Sequence, residues 1–304
     1  MTISAQAQRP LTVPSPSRRP RKILRQILLY AAVALFALWI LLPLWYALTS
    51  SLTTQQQISV RPYPIIPGEL TLDNYRGVLT GRTGSSSTTG TTDLGSRLVP
   101  AIVQSLLVSS LLVFINLVIG SIAAYGLSRY PFRGSHSFYI SIVASRVVPG
   151  IAIVGPFFIL FRNADLLNTP WALVISYNVF TLPLAIMLLT NYFDQLPKAI
   201  EEAAMMDGAS RLQALWLIIV PLARPGLVAA GVLVFLEAWS EFFYALVLTN
   251  QLTVPPLLAG FQSVQQFNWN ALAAATIVAL IPPVVLALVF QRQVVGALAA
   301  GFDK

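Results

Sequence analysis

The chain has 304 residues, of which 56% are hydrophobic and 10% charged, with a mean hydropathy of +0.72. A soluble domain carries about 25% charged residues, so this composition is matched to a bilayer rather than to water. The net charge of +8 comes from basic residues scattered between apolar runs, which argues against a nucleic-acid-binding stripe. The absence of cysteine excludes disulfide and thiolate chemistry, and the single histidine, His136 in a short polar loop, excludes a multi-histidine metal site.

A spanning helix needs about 20 mainly apolar residues, and six stretches meet that length: 27–48, 101–124, 138–161, 171–192, 225–248 and 271–290. The first follows a basic, proline-rich tail (1–26). It is longer than the apolar core of a signal peptide and ends in Trp45, Tyr46 and a polar stretch, so it reads as a retained span. A polar segment, 49–97, follows. Within it, Tyr63-Pro64-Ile65-Ile66-Pro67 reads as extended chain, and the Gly/Ser/Thr tract at 81–92 reads as a flexible loop tip. The predicted class is all-α, with a membrane domain over 27–291 and a short tail over 292–304.

Lysine and arginine set the orientation. With the N-terminus inside, thirteen basic residues fall on cytoplasmic segments, five fall outside, and Arg146 lies within a span. Both termini are therefore expected in the cytoplasm, as is the segment 195–221.

That segment carries the most information. Pro197 suits the first turn of a helix and is followed by acidic residues at its positive end. Gly208 permits a left-handed turn into a second helix. There Leu212, Leu215, Trp216 and Ile219 recur at spacings of three and four, predicting one apolar face. On the residues alone, this elbow reads equally as an interfacial connector and as a docking element.

Glu202-Ala203-Ala204, Gly208 and Ile218-x-x-Pro221 resemble the EAA loop of binding-protein-dependent ABC importer permeases, in which Glu-Ala-Ala is followed at fixed spacing by Gly and then Ile-x-Leu-Pro; Val220 stands in place of the Leu. Leu72-Asp73-Asn74-Tyr75, Ala123-Ala124-Tyr125 with Arg129, Ala238-Trp239-Ser240-Glu241-Phe242 and Gln291-Arg292 extend the resemblance to the smaller, six-span subunit of maltose-type carbohydrate importers, over residues 23–304. Two features depart from the pattern: the tract at 81–92 looks inserted, and Gln104-Ser105 stands where Asn-Ser is common.

The resemblance implies a type I importer permease fold and a coupling loop that docks on a separate ATPase. In it, Glu202 faces a basic group of that partner, Ala203 and Ala204 allow close approach, and Asp207-Gly208 makes the turn. The chain has no Gly-x-x-x-x-Gly-Lys-Ser/Thr phosphate loop. ATP and Mg are thus expected on partner subunits, with no catalysis and no cofactor in this chain. The implied partners are a second homologous permease, two ATP-binding subunits, an extracytoplasmic solute-binding protein, a sugar or polyol substrate and membrane lipid, but no nucleic acid. The C-terminal tail from Gly296 resembles the part that reaches the ATPase interface.

Ionisable groups inside spans are costly and usually face a cavity or a partner. Arg146, Glu237 and Glu241 are such groups, and the two glutamates, four apart, share a helix face. With Trp239 as an aromatic platform and Asn116 and Asn178 as polar neighbours, they are the expected lining of a translocation pathway. The competing readings are an Arg146–Glu237 pair, an interfacial Trp239, and asparagines that only join helices. An ion-driven secondary transporter would normally show an inverted repeat, which is not visible here. An intramembrane enzyme lacks a paired catalytic motif.

Overall fold

The computed structural model describes residues 19–58, 68–81, 91–261 and 268–302. The predicted extended run at 63–67, nearly all of the Gly/Ser/Thr tract, and the ends of both tails lie outside them. Every regular element among the described residues is helical. The first helix, α1 (Arg19–Ser51), is long, starts on the basic residues Arg19, Arg21, Lys22 and Arg25, and is apolar over most of its remaining length. Its portion up to Tyr46 forms one compact unit, and Ala47 onward forms the other.

Within the second unit, two uninterrupted helices form the centre, α4 (Thr91–Arg129) and α7 (Pro170–Asp194). Thr169 caps α7 by accepting from the Ala172 N–H, and Pro170 supplies a first-turn residue that has no N–H to leave unpaired. Half of the apolar window of α7 is buried inside the protein, making it the hub of the bundle. Val108 and Leu112 of α4 meet Leu173 and Tyr177 of α7 in the main core, joined by Phe161 from α6 (Gly150–Asn163) and Val234 from α11 (Arg224–Trp239).

α14 (Trp269–Phe302) packs against α3 (Asp73–Thr80) and α13 (Val254–Gly260) in a second core built on Val78, Leu98, Leu257, Phe261 and Ala274. Its small-residue start, Ala271, Ala274 and Ala275, lets neighbouring backbones approach closely. Four spans, Leu24–Ser51, Leu98–Arg129, Pro170–Asp194 and Trp269–Gly296, are continuous helices.

The other two membrane segments are broken. The stretch expected as one helix over 138–161 is α5 (Ser135–Ala144), a 3-10 turn (Ser145–Val147) and α6, bent by 90°. Val148 and Pro149 are extended at the bend, because proline forces the residue before it out of the helical region. The stretch expected over 225–248 runs as α11 only to Trp239. It stops at Ser240 and restarts as α12 (Phe243–Leu248), where the Glu241 carboxylate accepts the N–H groups of Tyr244 (3.0 Å) and Ala245 (3.3 Å). Arg211–Leu222 enters α11 through a second bend, of 81°. Counting each bent pair as one span gives six.

Candidate functional site

The elbow at 195–221 takes the predicted form. α8 (Lys198–Met206) ends at Asp207, and Gly208 adopts φ +94°, a left-handed conformation that favours glycine. The Ala209 N–H donates to the Ala204 carbonyl (3.0 Å) and the Gly208 N–H to Met205 (3.1 Å), the paired bonds of a Schellman stop. Ser210 then caps α9 (Arg211–Ala214) in a reciprocal box with Gln213.

The second arm departs from the predicted single stripe. Leu215–Ile219 forms a π turn, with the Val220 N–H returning to Leu215, before α10 (Val220–Leu222). Pro221 has no N–H with which to continue the ordinary ladder, which accounts for the widened turn just before it. Leu215 and Ile219 are fully buried against Phe193, Ala124 and Ala223, whereas Leu212 and Trp216 remain exposed.

α8 has two different faces. Glu202, Ala203, Met206 and Asp207 are exposed, and Met206 is 88% accessible. Glu201, one residue before the EAA glutamate, is 3% accessible. Its carboxylate pairs with Arg129 Nε at 3.0 Å and accepts from the Tyr125 hydroxyl and from Tyr130 Oη at 3.2 Å. Arg129 also donates to the Leu196 carbonyl (3.0 Å), Ser128 donates to Asp194 Oδ1 (2.6 Å), and the Arg211 guanidinium lies 4.3 Å from the Tyr130 ring centre. The end of α4 is thus bound to the end of α7 and to both arms of the elbow. Leu98–Arg129 spans about 48 Å at the helical rise, against about 30 Å of hydrocarbon, so this polar knot has room to lie beyond the apolar layer.

A second cluster gathers where the two broken spans meet α7. Arg146 Nη2 donates to Glu237 Oε1 at 2.7 Å, with both side chains about one-third exposed. Glu237 and Glu241 line a cavity of about 430 Å³ with Tyr177, Phe180, Gly150 and Tyr244. Of the six expected pathway residues, Arg146, Glu237 and Glu241 come together here. Asn116 and Asn178 instead join α4 to α7 through a 2.9 Å bond (Asn116 Nδ2 to Asn178 Oδ1). Trp239 stacks on Phe235 with ring centres 5.5 Å apart and packs with Val254 and Ala279.

The described sequence and fold both have counterparts among known proteins. The family model described as the binding-protein-dependent transport system inner membrane component matches residues 116–299. The chain belongs to that family. The permease is similar to the trehalose/maltose transport system permease protein MalG of Thermococcus litoralis, with 35% identity covering 93% of this chain and 98% of MalG. It is also similar to the trehalose transport system permease protein SugB of Mycobacterium tuberculosis, with 36% identity over 84% and 89% of the two chains. A crystallised bacterial ABC transporter involved in import of the acidic polysaccharide alginate contains a chain of the same fold, with TM-score 0.73, 24% identity and coverage of 92% and 99%. The permease is therefore a multi-pass inner-membrane component.

In this permease the EAA spacing marks Glu202 and is silent on Glu201. The i, i+4 pair Tyr125 and Arg129, with Tyr130 beside it, was the available signal: polar groups clustered at the end of an apolar helix need a buried partner. The packing roles of Asn74 and Asn270 carry no local signal. Asn74 Nδ2 donates to the carbonyls of Ser51 and Thr53 (2.9 Å each), and Asn270 Nδ2 donates to Ser50 (3.0 Å) and Thr53 (2.7 Å). Asn74 and Tyr75 thus together hold the end of α1, with the Tyr75 hydroxyl 2.6 Å from Ser51 Oγ.

Proposed function

We propose that this permease is one of two membrane subunits of an ATP-driven importer for a sugar or related polyol, and that α8 and its elbow are the lever through which a separate ATPase drives it. The observation that carries this reading is the two-faced α8. Glu202, Ala203 and Met206 present an acidic and apolar surface outward, while Glu201 is buried against Arg129. A force applied to the outer face passes through the buried ion pair into α4, and through Leu215 and Ile219 into the core beneath. Gly208 sets the angle between the arms, and Ile218 and Pro221 join the second arm to the span. The names of the relatives, which refer to trehalose and maltose, favour a sugar as cargo.

In this reading ATP and Mg bind the partner ATPases, an extracytoplasmic binding protein delivers the substrate, and the bundle alternates between inward- and outward-facing states. The pathway is proposed to pass the cavity beside Arg146, Glu237 and Glu241. Asn116, Asn178 and Trp239 act from helix-packing positions. The basic-residue bias favours a cytoplasmic elbow and cytoplasmic termini.

The chain has no cysteine, so one introduced at Ala203 is a unique handle on this subunit. In the assembled complex it is expected to crosslink to an ATP-binding subunit, with the yield changing between nucleotide-free and ATP-bound states. Absence of any such product from a complex that retains its ATPases would refute the docking of α8.

A further inference from the structure

The face of α11 between α4 and α14 opens into a groove with an apolar floor and a cationic mouth. At one end, α4 and α14 are drawn together by Leu98 and Ala101 packing with Ala271, Ala274 and Ala275. Farther along they part, and Val113 and Leu117 of α4 line one wall while Leu286 and Phe290 of α14 line the other. The groove holds about 480 Å³, within the range of small-molecule sites, and its lining is apolar apart from Ser110 and Arg224.

Its depth is that of one leaflet. From Arg224 to Phe235, both in the lining, α11 rises about 16 Å, roughly half of a hydrocarbon layer of about 30 Å. Both walls belong to continuous spans, so lipid is the solvent at this level. A helix from another subunit would run the full thickness of the bilayer, whereas a lipid chain ends near the midplane.

The mouth calls for an anion. Arg224 is exposed and, among the described residues, makes no hydrogen bond or ion pair, and no acidic side chain lines the groove. It stands in the first turn of α11, where the helix dipole adds positive potential. Gln293 lies one turn beyond Phe290 on the face of α14 that carries Leu286 and Phe290, and its Oε1 is buried without a hydrogen-bond partner. A ligand with both a negative charge and a hydroxyl donor satisfies the two together. The first helix of a second copy of this chain would not. α1 has no acidic residue over Arg19–Ser51, and it starts on Arg19, Arg21, Lys22 and Arg25 at the same predicted side of the bilayer, so it would set like charges against Arg224. Basic pockets between spans on the cytoplasmic side suit acidic lipid headgroups.

We infer that the groove between α4, α11 and α14 is a site for an anionic phospholipid with a hydroxyl-bearing headgroup, its phosphate on Arg224 and one acyl chain lying along α11 as far as Phe235. Val220 and Pro221 form part of the wall, so the lipid rests directly on the second arm of the elbow. Its assignment to the cytoplasmic leaflet rests on the orientation proposed above; the site itself does not.

The test uses the intact complex in phosphatidylcholine vesicles doped with photoactivatable phosphatidylglycerol or, at equal mole fraction, photoactivatable phosphatidylcholine, each with a diazirine midway along one chain. Crosslinked positions on this chain are located by mass spectrometry. Phosphatidylglycerol is expected to label Val113, Leu117 and Val228 about fivefold more than phosphatidylcholine, the effect of one basic residue close to an anionic lipid. Arg224→Gln should abolish that excess with subunit composition and thermal stability unchanged. Val228→Trp, which fills the groove, should remove labelling of Val113 and Leu117 by both lipids. Equal labelling by the two lipids, an excess that survives Arg224→Gln, or labelling that survives Val228→Trp overturns the site. A photoreactive residue at Val228 that captures a protein helix instead of lipid also overturns it, as does an unlabelled groove in a complex that still hydrolyses ATP. None of these outcomes bears on the docking of α8 or on the cargo, which the crosslinking and transport measurements test separately.

Discussion

Adjacent acids in α8 have opposite fates because a helix turns by about 100° per residue. Glu202 faces outward, and Glu201 turns into a niche lined by Tyr125, Arg129 and Tyr130. Removing one partner of a buried ion pair leaves the other charge uncompensated, at a cost of about 3–5 kcal/mol. Glu201→Ala should therefore lower the thermal stability of the purified permease, whereas Glu202→Ala should leave it within about 0.5 kcal/mol of the parent and reduce transport. Differential scanning fluorimetry beside an uptake assay separates the two, and equal stability losses would contradict the two-faced assignment. Asn270→Leu should also destabilise, by about 1–3 kcal/mol, since it strips the donor from two carbonyls at the end of α1. The importance of Glu202 was legible from local spacing. That of Glu201 was not, because the cluster at the end of α4 signals that a buried partner exists without saying which, and Arg129 is 72 positions away in sequence.

At the scale of elements, the notable features are interruptions. Hydropathy reports how apolar a window is and cannot see a bend within it, so the third and fifth stretches read as whole helices. Val148-Pro149 and Ser240-Glu241-Phe242 break them, and the cavity beside the Arg146–Glu237 pair is lined at those breaks, by Gly150 and Ile151 at the start of α6 and by Glu241, Phe243 and Tyr244 around the start of α12. Close packing elsewhere is equally specific. A Cβ on Gly226, in the first turn of α11, would lie 2.4 Å from Tyr192 Cγ, so the ring of α7 rests directly on the backbone of α11. Gly226→Ala should cost about 1–3 kcal/mol through overpacking. Shrinking the ring with Tyr192→Leu should recover part of that loss, so a double-mutant cycle of unfolding midpoints checks the contact. Gly208 is the opposite case, with open space around its missing Cβ and only its φ of +94° to protect. Gly208→Val should strain the elbow by roughly 1–2 kcal/mol while the chain still inserts. ATP hydrolysis by the complex should then continue with little substrate uptake, which paired ATPase and transport assays measure.

For the whole molecule, orientation is the property on which the coupling model depends. His136, in the first turn of α5, and Asp165, after α6, are both exposed and lie on opposite predicted sides of the bilayer. In intact cells, a membrane-impermeant maleimide should label a cysteine at Asp165 and spare one at His136 until the membrane is opened. The reverse pattern would place the elbow outside, where no ATPase could reach it. The number of spans, the orientation expected from basic residues, and the helix–glycine–helix elbow all follow from the sequence by itself. Each depends on composition or on spacings within about twenty residues, and the bilayer and the backbone read those directly. Which glutamate of α8 is buried, where two spans break, and that Glu237, Glu241 and Tyr177 line one cavity with Arg146 paired to Glu237 were decided only by the tertiary structure. These depend on side chains brought together from helices far apart in the chain, and packing, not local propensity, selects those partners.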